Sequence, residues 1–359
     1  MSTASRPMRA NWTPCWTNYA ARCIDPLREE TTMNRRHAIR TLATLAAVPA
    51  LSPMRSALAQ AWPDKPVRLL LSQPPGSGPD NIARLLSERL YPRWGQAVVI
   101  ENKPGGQNTV GAQAAARSPA DGYNFYFATT AALVTNAFLF KQLPYDPAKD
   151  FVPVAFVARS PFGILVKADS PIRSVEELIA KSKAAPGTFT LGNEGPRTFG
   201  GMIARLFNAR SGAQANLVPY VSVGVSAQNL MGGHVDAIVA DVASTAQLAR
   251  QGRLRLLAVT SDKRLADWPQ VPAVSELLPD FDMVGWFAIV APAGTPAAAI
   301  ERVNRDVNAL LADEEIAGRI AAIGPIAAPG YSPAQTGDFL RHEHARWAQI
   351  TKEINILPE

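Results

Sequence analysis

The feature that most constrains the fold is a regular alternation of apolar runs and amphipathic segments over residues 174–260. Successive units are about 20 to 25 residues long, which is the length that a crossover between parallel strands requires. The apolar runs predict strands, and the segments with helical spacing predict helices between them. The predicted strands are 189–191, 215–218, 235–240 and 254–260, and the predicted helices are 174–183, 198–208, 226–231 and 244–251.

The same alternation occurs in the first half of the chain. It predicts strands at 67–71, 97–101 and 123–128, and helices at 82–90, 109–117 and 131–140. Further strand-like runs are 154–158, 162–166 and 286–290, and long helices are predicted at 297–311 and 333–354. A chain of 359 residues with 47% hydrophobic composition is long enough for about two such α/β domains.

The loop after the first predicted strand has the composition of an anion-binding site. Residues 74–81 read Pro-Pro-Gly-Ser-Gly-Pro-Asp-Asn. Glycine lets backbone N–H groups turn toward one point, and the helix that follows adds unpaired N–H groups and its positive dipole end. No nucleotide-binding motif is completed there, so Gly76, Ser77 and Gly78 are predicted to contact a carboxylate. The alternative is a tight turn without a ligand, capped by Asp80. Asp80 is also a candidate ligand contact, but its carboxylate would repel a bound carboxylate, so the helix cap is its expected role.

A second candidate contact lies at the end of the third predicted strand. Thr129 and Thr130 follow the apolar run 123–128 and precede a helical segment. Open α/β sheets bind ligands where strands lead into helices. One of these two threonines is therefore predicted to contact the ligand.

Positive charge is concentrated at the front of the chain. Residues 1–59 hold eight Arg and three acidic residues, and so carry five of the six net positive charges. Residues 33–59 combine a basic start, a short apolar run and Ala57-Leu-Ala59, the pattern of an export signal cleaved after Ala59. The pair Arg35-Arg36 favours a twin-arginine signal, although paired arginines also occur in Sec signals. Residues 1–32 precede an alternative start and are predicted to be a non-native upstream extension.

The remaining composition argues against several classes of function. The net charge of +1 after residue 59 offers no basic surface for a nucleic acid. Both cysteines, Cys15 and Cys23, fall within residues 1–32, so the mature chain would contain no disulfide and no Cys nucleophile. His342 and His344 are two residues apart on a predicted helix and point to different faces, so we expect no metal site. No Gly-x-Ser-x-Gly motif indicates a hydrolase, and no cofactor is expected.

Several segments together resemble the periplasmic solute-binding proteins of tripartite tricarboxylate transporters, known as the Bug family. The resemblance covers nearly all of residues 62–359, and its segments are 66–69 with 75–80, 99–105, 119–123, 143–147 with 150–154, 257–261 and 291–296. It implies a two-lobe, flytrap-like (type II) α/β fold with parallel or mixed sheets. The first lobe would comprise residues 62–160 plus 286–359, and the second 161–285. The runs 162–166 and 286–290 would be the two crossover strands.

Proteins of this family usually hold a small carboxylate through backbone amides of the first loop and through bridging water. The second lobe of this chain departs from the family pattern. Ala-Ser-x-Gly-x-Gly-Thr before a His-bearing helix is replaced by Gly-Asn-Glu-Gly-Pro-Arg-Thr at 192–198, with no His after it. The usual Pro-Tyr-Lys-Gly is replaced by Pro-Tyr-Val-Ser at 219–222. We therefore expect a ligand with an ordinary carboxylate at one end and an unusual group at the other.

Five residues of the second lobe are candidates for this other end. Asn193 and Thr198 flank a helix start, where each could bind the ligand or cap the helix. Arg197 could grip a carboxylate or lie on the surface. Tyr220 could form a cleft wall or belong to the core. Asp241 could accept a ligand hydroxyl or amine, or cap the next helix.

Together with the export signal and the predicted anion-binding loop, this resemblance implies a monomeric exported receptor for a small organic carboxylate, with membrane transporter subunits as its partner. The first alternative is an orphan receptor that presents its ligand-bound form to a sensor kinase. The second, from another class, is an exported α/β enzyme that acts on a carboxylate. The sequence does not distinguish dicarboxylates, amino-acid-like acids and aromatic acids as ligands.

Overall fold

The computed structural model describes residues 62–359. The predicted export signal, its cleavage after Ala59 and the predicted upstream extension lie outside the described residues. The ten strands of residues 62–359 are β1 (Val67–Leu71), β2 (Val98–Asn102), β3 (Asn124–Thr129), β4 (Phe151–Lys167), β5 (Thr190–Asn193), β6 (Asn216–Pro219), β7 (Ala237–Asp241), β8 (Leu254–Val259), β9 (Val284–Pro292) and β10 (Ile326–Ala327).

The α-helices of the same residues connect these strands and cover the sheets. They are α1 (Gly78–Trp94), α2 (Thr109–Ala116), α3 (Asn136–Leu139), α4 (Val175–Ala184), α5 (Phe199–Ser211), α6 (Val223–Gly232), α7 (Val242–Arg250), α8 (Ala297–Leu311), α9 (Glu314–Ile323) and α10 (Pro333–Glu353). A π-helical turn at Ala131–Thr135 leads into α3, so the predicted helix 131–140 is only partly α-helical.

The strands form two lobes that share β4. In the first lobe the strand order is β2-β1-β3-β9-β4-β10, with β1, β2 and β3 parallel and the others antiparallel to their neighbours. In the second lobe the order is β6-β5-β7-β4-β8, with β5, β6 and β7 parallel. The predicted α/β class with mixed sheets is confirmed.

The chain passes between the lobes along β4 and returns at β9. β4 is one continuous strand, whereas the sequence predicted two separate runs, 154–158 and 162–166. Its partner changes at one point, because Pro161 pairs with Val284 of β9 and Phe162 pairs with Asp241 of β7. A proline is tolerated at such a change of partner, where the ladder is already interrupted. On the return, Met283 N donates to Thr260 O at 2.7 Å, directly before β9 begins.

The core near the crossover is aromatic. Phe199 at the start of α5 lies between Phe162 of β4, at 5.1 Å between ring centroids, and Trp347 of α10, at 5.5 Å. Trp347 is fully buried. These rings therefore place the N-terminus of α5 against the strand that joins the two lobes.

Helix α9 and strand β10 were missed in the sequence. Asp313 caps α9 by accepting hydrogen bonds from Glu315 N and Ile316 N. Ile316 and Ile320 are its buried residues, and their spacing of four is a helical signal. The helix is short, and the alanines and charged residues around it make this spacing hard to recognise in the sequence.

Candidate functional site

The β1–α1 loop is held by a buried carboxylate. Asp80 is 1% exposed and accepts hydrogen bonds from Gly76 N at 2.8 Å, Arg84 Nε at 2.9 Å and Asn102 Nδ2 at 2.9 Å. Burial alone would raise the pKa of Asp80, but these hydrogen bonds outweigh burial and hold the pKa below its usual value. The expectation that Asp80 caps α1 was wrong. The N-cap is Ser77, whose Oγ accepts from Asp80 N, and Asp80 instead ties the loop to the neighbouring strand.

Two groups of this loop remain available to an anion. The N–H of Gly76 donates to Asp80, and the N–H of Ser77 lies 3.3 Å from Pro74 O. The N–H of Gly78 has no acceptor among the described residues, and the Ser77 hydroxyl accepts one hydrogen bond while its own proton is free to donate. Both groups lie at the start of α1, where the helix dipole favours negative charge.

Thr129 and Thr130 differ in their availability. Thr130 is 3% exposed, and its Oγ1 accepts a hydrogen bond from Trp286 N at 2.9 Å. It therefore connects the end of β3 to β9. The Oγ1 of Thr129 is shielded from solvent and has no hydrogen-bond partner within residues 62–359. A buried hydroxyl normally has a partner, so Thr129 is the stronger ligand candidate of the two.

In the second lobe, Asn193 and Thr198 shape the loop between β5 and α5. Asn193 is 2% exposed, and its Oδ1 accepts from Gly195 N at 3.0 Å. Thr198 is the N-cap of α5, accepts from Gly201 N at 3.1 Å and donates to Gly195 O at 2.9 Å. A Cβ on Gly201 would lie 1.9 Å from Gly195 O, so this loop requires glycine at position 201.

Arg197 contacts backbone of the first lobe and the end of the chain. Its Nη1 donates to Leu139 O at 2.7 Å, and its Nη2 donates to Leu357 O at 3.0 Å and lies 2.7 Å from Glu359 Oε1. Its side chain is only 19% exposed. In this arrangement the guanidinium joins the β5–α5 loop to the end of α3 and to the last residues of the chain.

Tyr220 and Asp241 lie at the ends of β6 and β7. Tyr220 N donates to Asn193 O, and its ring packs so closely on Gly192 that a Cβ there would lie 3.0 Å from Tyr220 Cε2. Asp241 is the N-cap of α7 and accepts from Ser244 N at 2.8 Å. Burial raises the pKa of Asp241.

Glu194 is a charged group of this region that the sequence predictions did not select. It follows Asn193, is mostly buried, and its Oε1 lies 3.4 Å from Gly200 N at the start of α5. Burial and the nearby charge of Asp241 raise the pKa of Glu194 to about 7, against the opposing hydrogen bond from Gly200. The only sign of this residue in the sequence was that an acidic side chain occurs in the stretch 192–198, which departs from the family pattern.

The predicted contacts thus form two groups. One is the β1–α1 loop with the end of β3, and the other is the β5–α5 loop with the ends of β6 and β7. Among residues 62–359, no hydrogen bond joins a predicted contact of one group directly to one of the other. No helix within these residues is both long and apolar enough to cross a membrane.

Two cavities lie outside both groups. One, of about 310 Å³, separates α7 from α9 and β10, and its walls include Trp268 and Ile326. The other, of about 200 Å³, lies under α10 and contains Arg159, Asp282 and Arg346. Neither cavity is lined by a predicted ligand contact.

Comparison with known proteins identifies the family. The tripartite tricarboxylate transporter family receptor model matches residues 82–356. A UPF0065 protein of Bordetella bronchiseptica is 36% identical over 319 residues, which are 89% of this chain and 94% of the relative. Protein BugT of Bordetella pertussis is 34% identical over 301 residues, or 82% of this chain and 91% of BugT.

Solved structures have the same fold. An R. palustris protein solved with adipate is 31% identical and superposes with a TM-score of 0.76, covering 83% of this chain and all of that protein. The periplasmic binding protein BugD is 26% identical and superposes with a TM-score of 0.73, covering 83% of this chain and all of BugD. The resemblance noted in the sequence is confirmed, and the chain belongs to the tripartite tricarboxylate transporter receptor family.

Proposed function

We propose that this chain is an exported periplasmic receptor that binds a small organic carboxylate between its two lobes and delivers it to the membrane subunits of a tripartite tricarboxylate transporter. The observation that carries the proposal is the start of α1, where the buried Asp80 holds the loop and leaves the Gly78 N–H and the Ser77 hydroxyl proton available. The adipate in the R. palustris relative supports a carboxylate as the ligand class.

The lobes supply a simple capture mechanism. We take residues 62–160 with 286–359 as the first lobe and 161–285 as the second. A carboxylate binds first to the α1 terminus, with Thr129 as a further donor. Closure about β4 and β9, which carry the chain between the lobes, then brings the β5–α5 loop over the ligand. The closed form is the state that the membrane subunits recognise.

The chain is proposed to bind its ligand without chemical change. Its family consists of receptors. Ser77 is the hydroxyl residue at the proposed anion site. Its Oγ accepts a hydrogen bond from Asp80 N and its N–H donates to Pro74 O, and neither contact is with a histidine or another base that could activate a nucleophile. Export would follow from the signal at residues 33–59.

A thermal-shift screen of mono-, di- and tricarboxylates, with aromatic acids included, tests this function. A ligand at a hundred times its Kd should stabilise the folded chain by about 2.7 kcal/mol. Ser77→Ala should weaken binding of any hit. Because this substitution also removes a helix cap, Ser174→Ala is the matched control, since Ser174 caps α4 through Glu177 N in the same way. No stabilisation by any acid, for a folded and ligand-free protein, would refute the proposal.

A further inference from the structure

The second-lobe side of the proposed cleft carries two carboxylates at adjacent strand ends. Glu194 follows β5 and Asp241 ends the neighbouring strand β7, and the charge of Asp241 contributes to the raised pKa of Glu194. Asp241 pairs with Phe162 of the crossover strand, and a Cβ on Gly200 would lie 3.4 Å from both Glu194 and Phe162. Both carboxylates therefore lie beside the strand along which the lobes meet.

Neither carboxylate is neutralised by a cation there. Glu194 has one long hydrogen bond, from Gly200 N to Oε1, and its Oε2 accepts none from the described residues. Asp241 Oδ1 is occupied by Ser244 N, which is a neutral donor. The cation of the same loop, Arg197, points to Leu139 O, Leu357 O and Glu359 instead. Glu194 is thus a mostly buried acceptor with unfilled capacity, next to a second acid.

We propose that the second lobe selects ligands whose end opposite the carboxylate is an ammonium group, with Glu194 as the discriminating residue and Asp241 as a second acceptor. This inference rests on the proposed carboxylate-receptor function and names the ligand class of the same site. An amino acid with separated charges would place its carboxylate at the α1 terminus and its ammonium between Glu194 and Asp241. A hydroxyl could take the ammonium's place with weaker binding, because its hydrogen bond carries no ionic attraction.

The same geometry disfavours dicarboxylates. A second ligand carboxylate would meet two acids in a poorly solvated place, where like charges repel strongly and the opposing helix terminus is already occupied. Protonation of Glu194 would relieve part of this repulsion. Binding of a dicarboxylate would then require the uptake of a proton, which lowers its affinity at neutral and higher pH. The expected specificity therefore differs from that of the adipate-bound relative, although we expect both proteins to bind one carboxylate of their ligand in the first lobe.

Matched ligand pairs test the inference, because each pair differs only at the far end. Titration calorimetry on the full chain would compare succinate with β-alanine, glutarate with 4-aminobutyrate, adipate with 5-aminopentanoate, and terephthalate with 4-(aminomethyl)benzoate. In at least one pair the ammonium compound should bind about tenfold or more tightly than the dicarboxylate. Glu194→Gln removes the charge with little change of shape and should reduce that ratio about tenfold.

Glu176→Gln is the control, because it removes one acidic charge from an exposed position on α4 and should leave the ratio unchanged. Asp241→Asn keeps an N-cap and should lower the ratio as well. Dicarboxylates that bind as tightly as their ammonium partners or more tightly in every pair, or an unchanged ratio in folded Glu194→Gln, would overturn this inference and leave the receptor function standing. Absence of binding by any carboxylate would refute both.

Discussion

Substituting Asp80 tests whether one buried carboxylate organises the binding loop of the first lobe. Asp80→Asn keeps the shape of the side chain but removes its charge. Hydrogen bonds to a charged group contribute about 1.5–3 kcal/mol each. Two of the three donors, Gly76 N in the loop and Asn102 Nδ2 at the end of β2, form part-buried hydrogen bonds with Asp80. Arg84 is 52% exposed, so its ion pair adds at most about 1 kcal/mol. An asparagine retains part of these bonds, so we expect a loss of about 2–4 kcal/mol in the free energy of unfolding at pH 7.

The pH dependence of this loss has a defined sign. Because the pKa of Asp80 is lower in the folded state than its usual 3.8, its stabilisation is fully present above that value. It declines as the pH falls through the folded-state pKa. The difference in stability between wild type and Asp80→Asn should therefore be constant between pH 5 and 7 and narrow below pH 4.

Urea denaturation at several pH values measures both effects. Asp338→Asn is a suitable control, because Asp338 forms only an exposed ion pair with Arg341 and should change stability by less than about 0.5 kcal/mol. Carboxylate affinity should fall in Asp80→Asn as well, since the loop loses the contact that orients Gly76. A loss below about 0.5 kcal/mol at pH 7, or a difference that widens in acid, would show that Asp80 does not organise the loop.

Three further substitutions probe how the lobes meet. Arg197→Ala should speed ligand dissociation in stopped-flow experiments, because it removes the hydrogen bonds to Leu139 O and Leu357 O; an unchanged rate would show that these contacts do not hold the closed form. Gly324→Ala should weaken ligand binding and enlarge the molecule in small-angle scattering, since its Cβ would lie 2.2 Å from Ala243 Cα; unchanged affinity would contradict this reading. Trp347→Ala should lower the free energy of unfolding by about 3–5 kcal/mol, as measured in urea, because the ring is fully buried. A loss under 1 kcal/mol would mean that the site collapses around the smaller residue.

Local signals predicted much of the fold. Strand β1 and helix α8 have the bounds that the sequence indicated, because an apolar run and a Pro-started amphipathic segment both end at clear breaks. The continuity of β4 was not predictable in the same way. Pro161 reads as a strand break in isolation, and only the change of partner from β9 to β7 explains why the strand passes through it.

Side-chain roles were harder to predict than elements, because they depend on partners distant in sequence. Asp80 read as a helix cap, since its link to Asn102 requires that β1 and β2 be neighbours. Arg197 read as a ligand grip or a surface residue, and its contacts are with Leu139 and Leu357. No periodicity or propensity contains that information.

Glu194 could be selected neither from local sequence patterns nor from its residue type, and it gives the proposed cleft an acidic side opposite the helix terminus of the first lobe. In the sequence it is one acidic residue in the stretch 192–198, which departs from the family pattern. In the structure it joins Asp241, which comes from another strand 47 positions later, to make the second lobe locally acidic. The first lobe offers N–H and O–H donors at a positive helix terminus, near Gly78. A ligand between two such faces is oriented by charge before shape matters, with its carboxylate toward α1 and its donor end toward β5 and β7. Closure then brings opposite charges of one ligand to opposite lobes, so the ligand itself supplies the attraction that holds the lobes together.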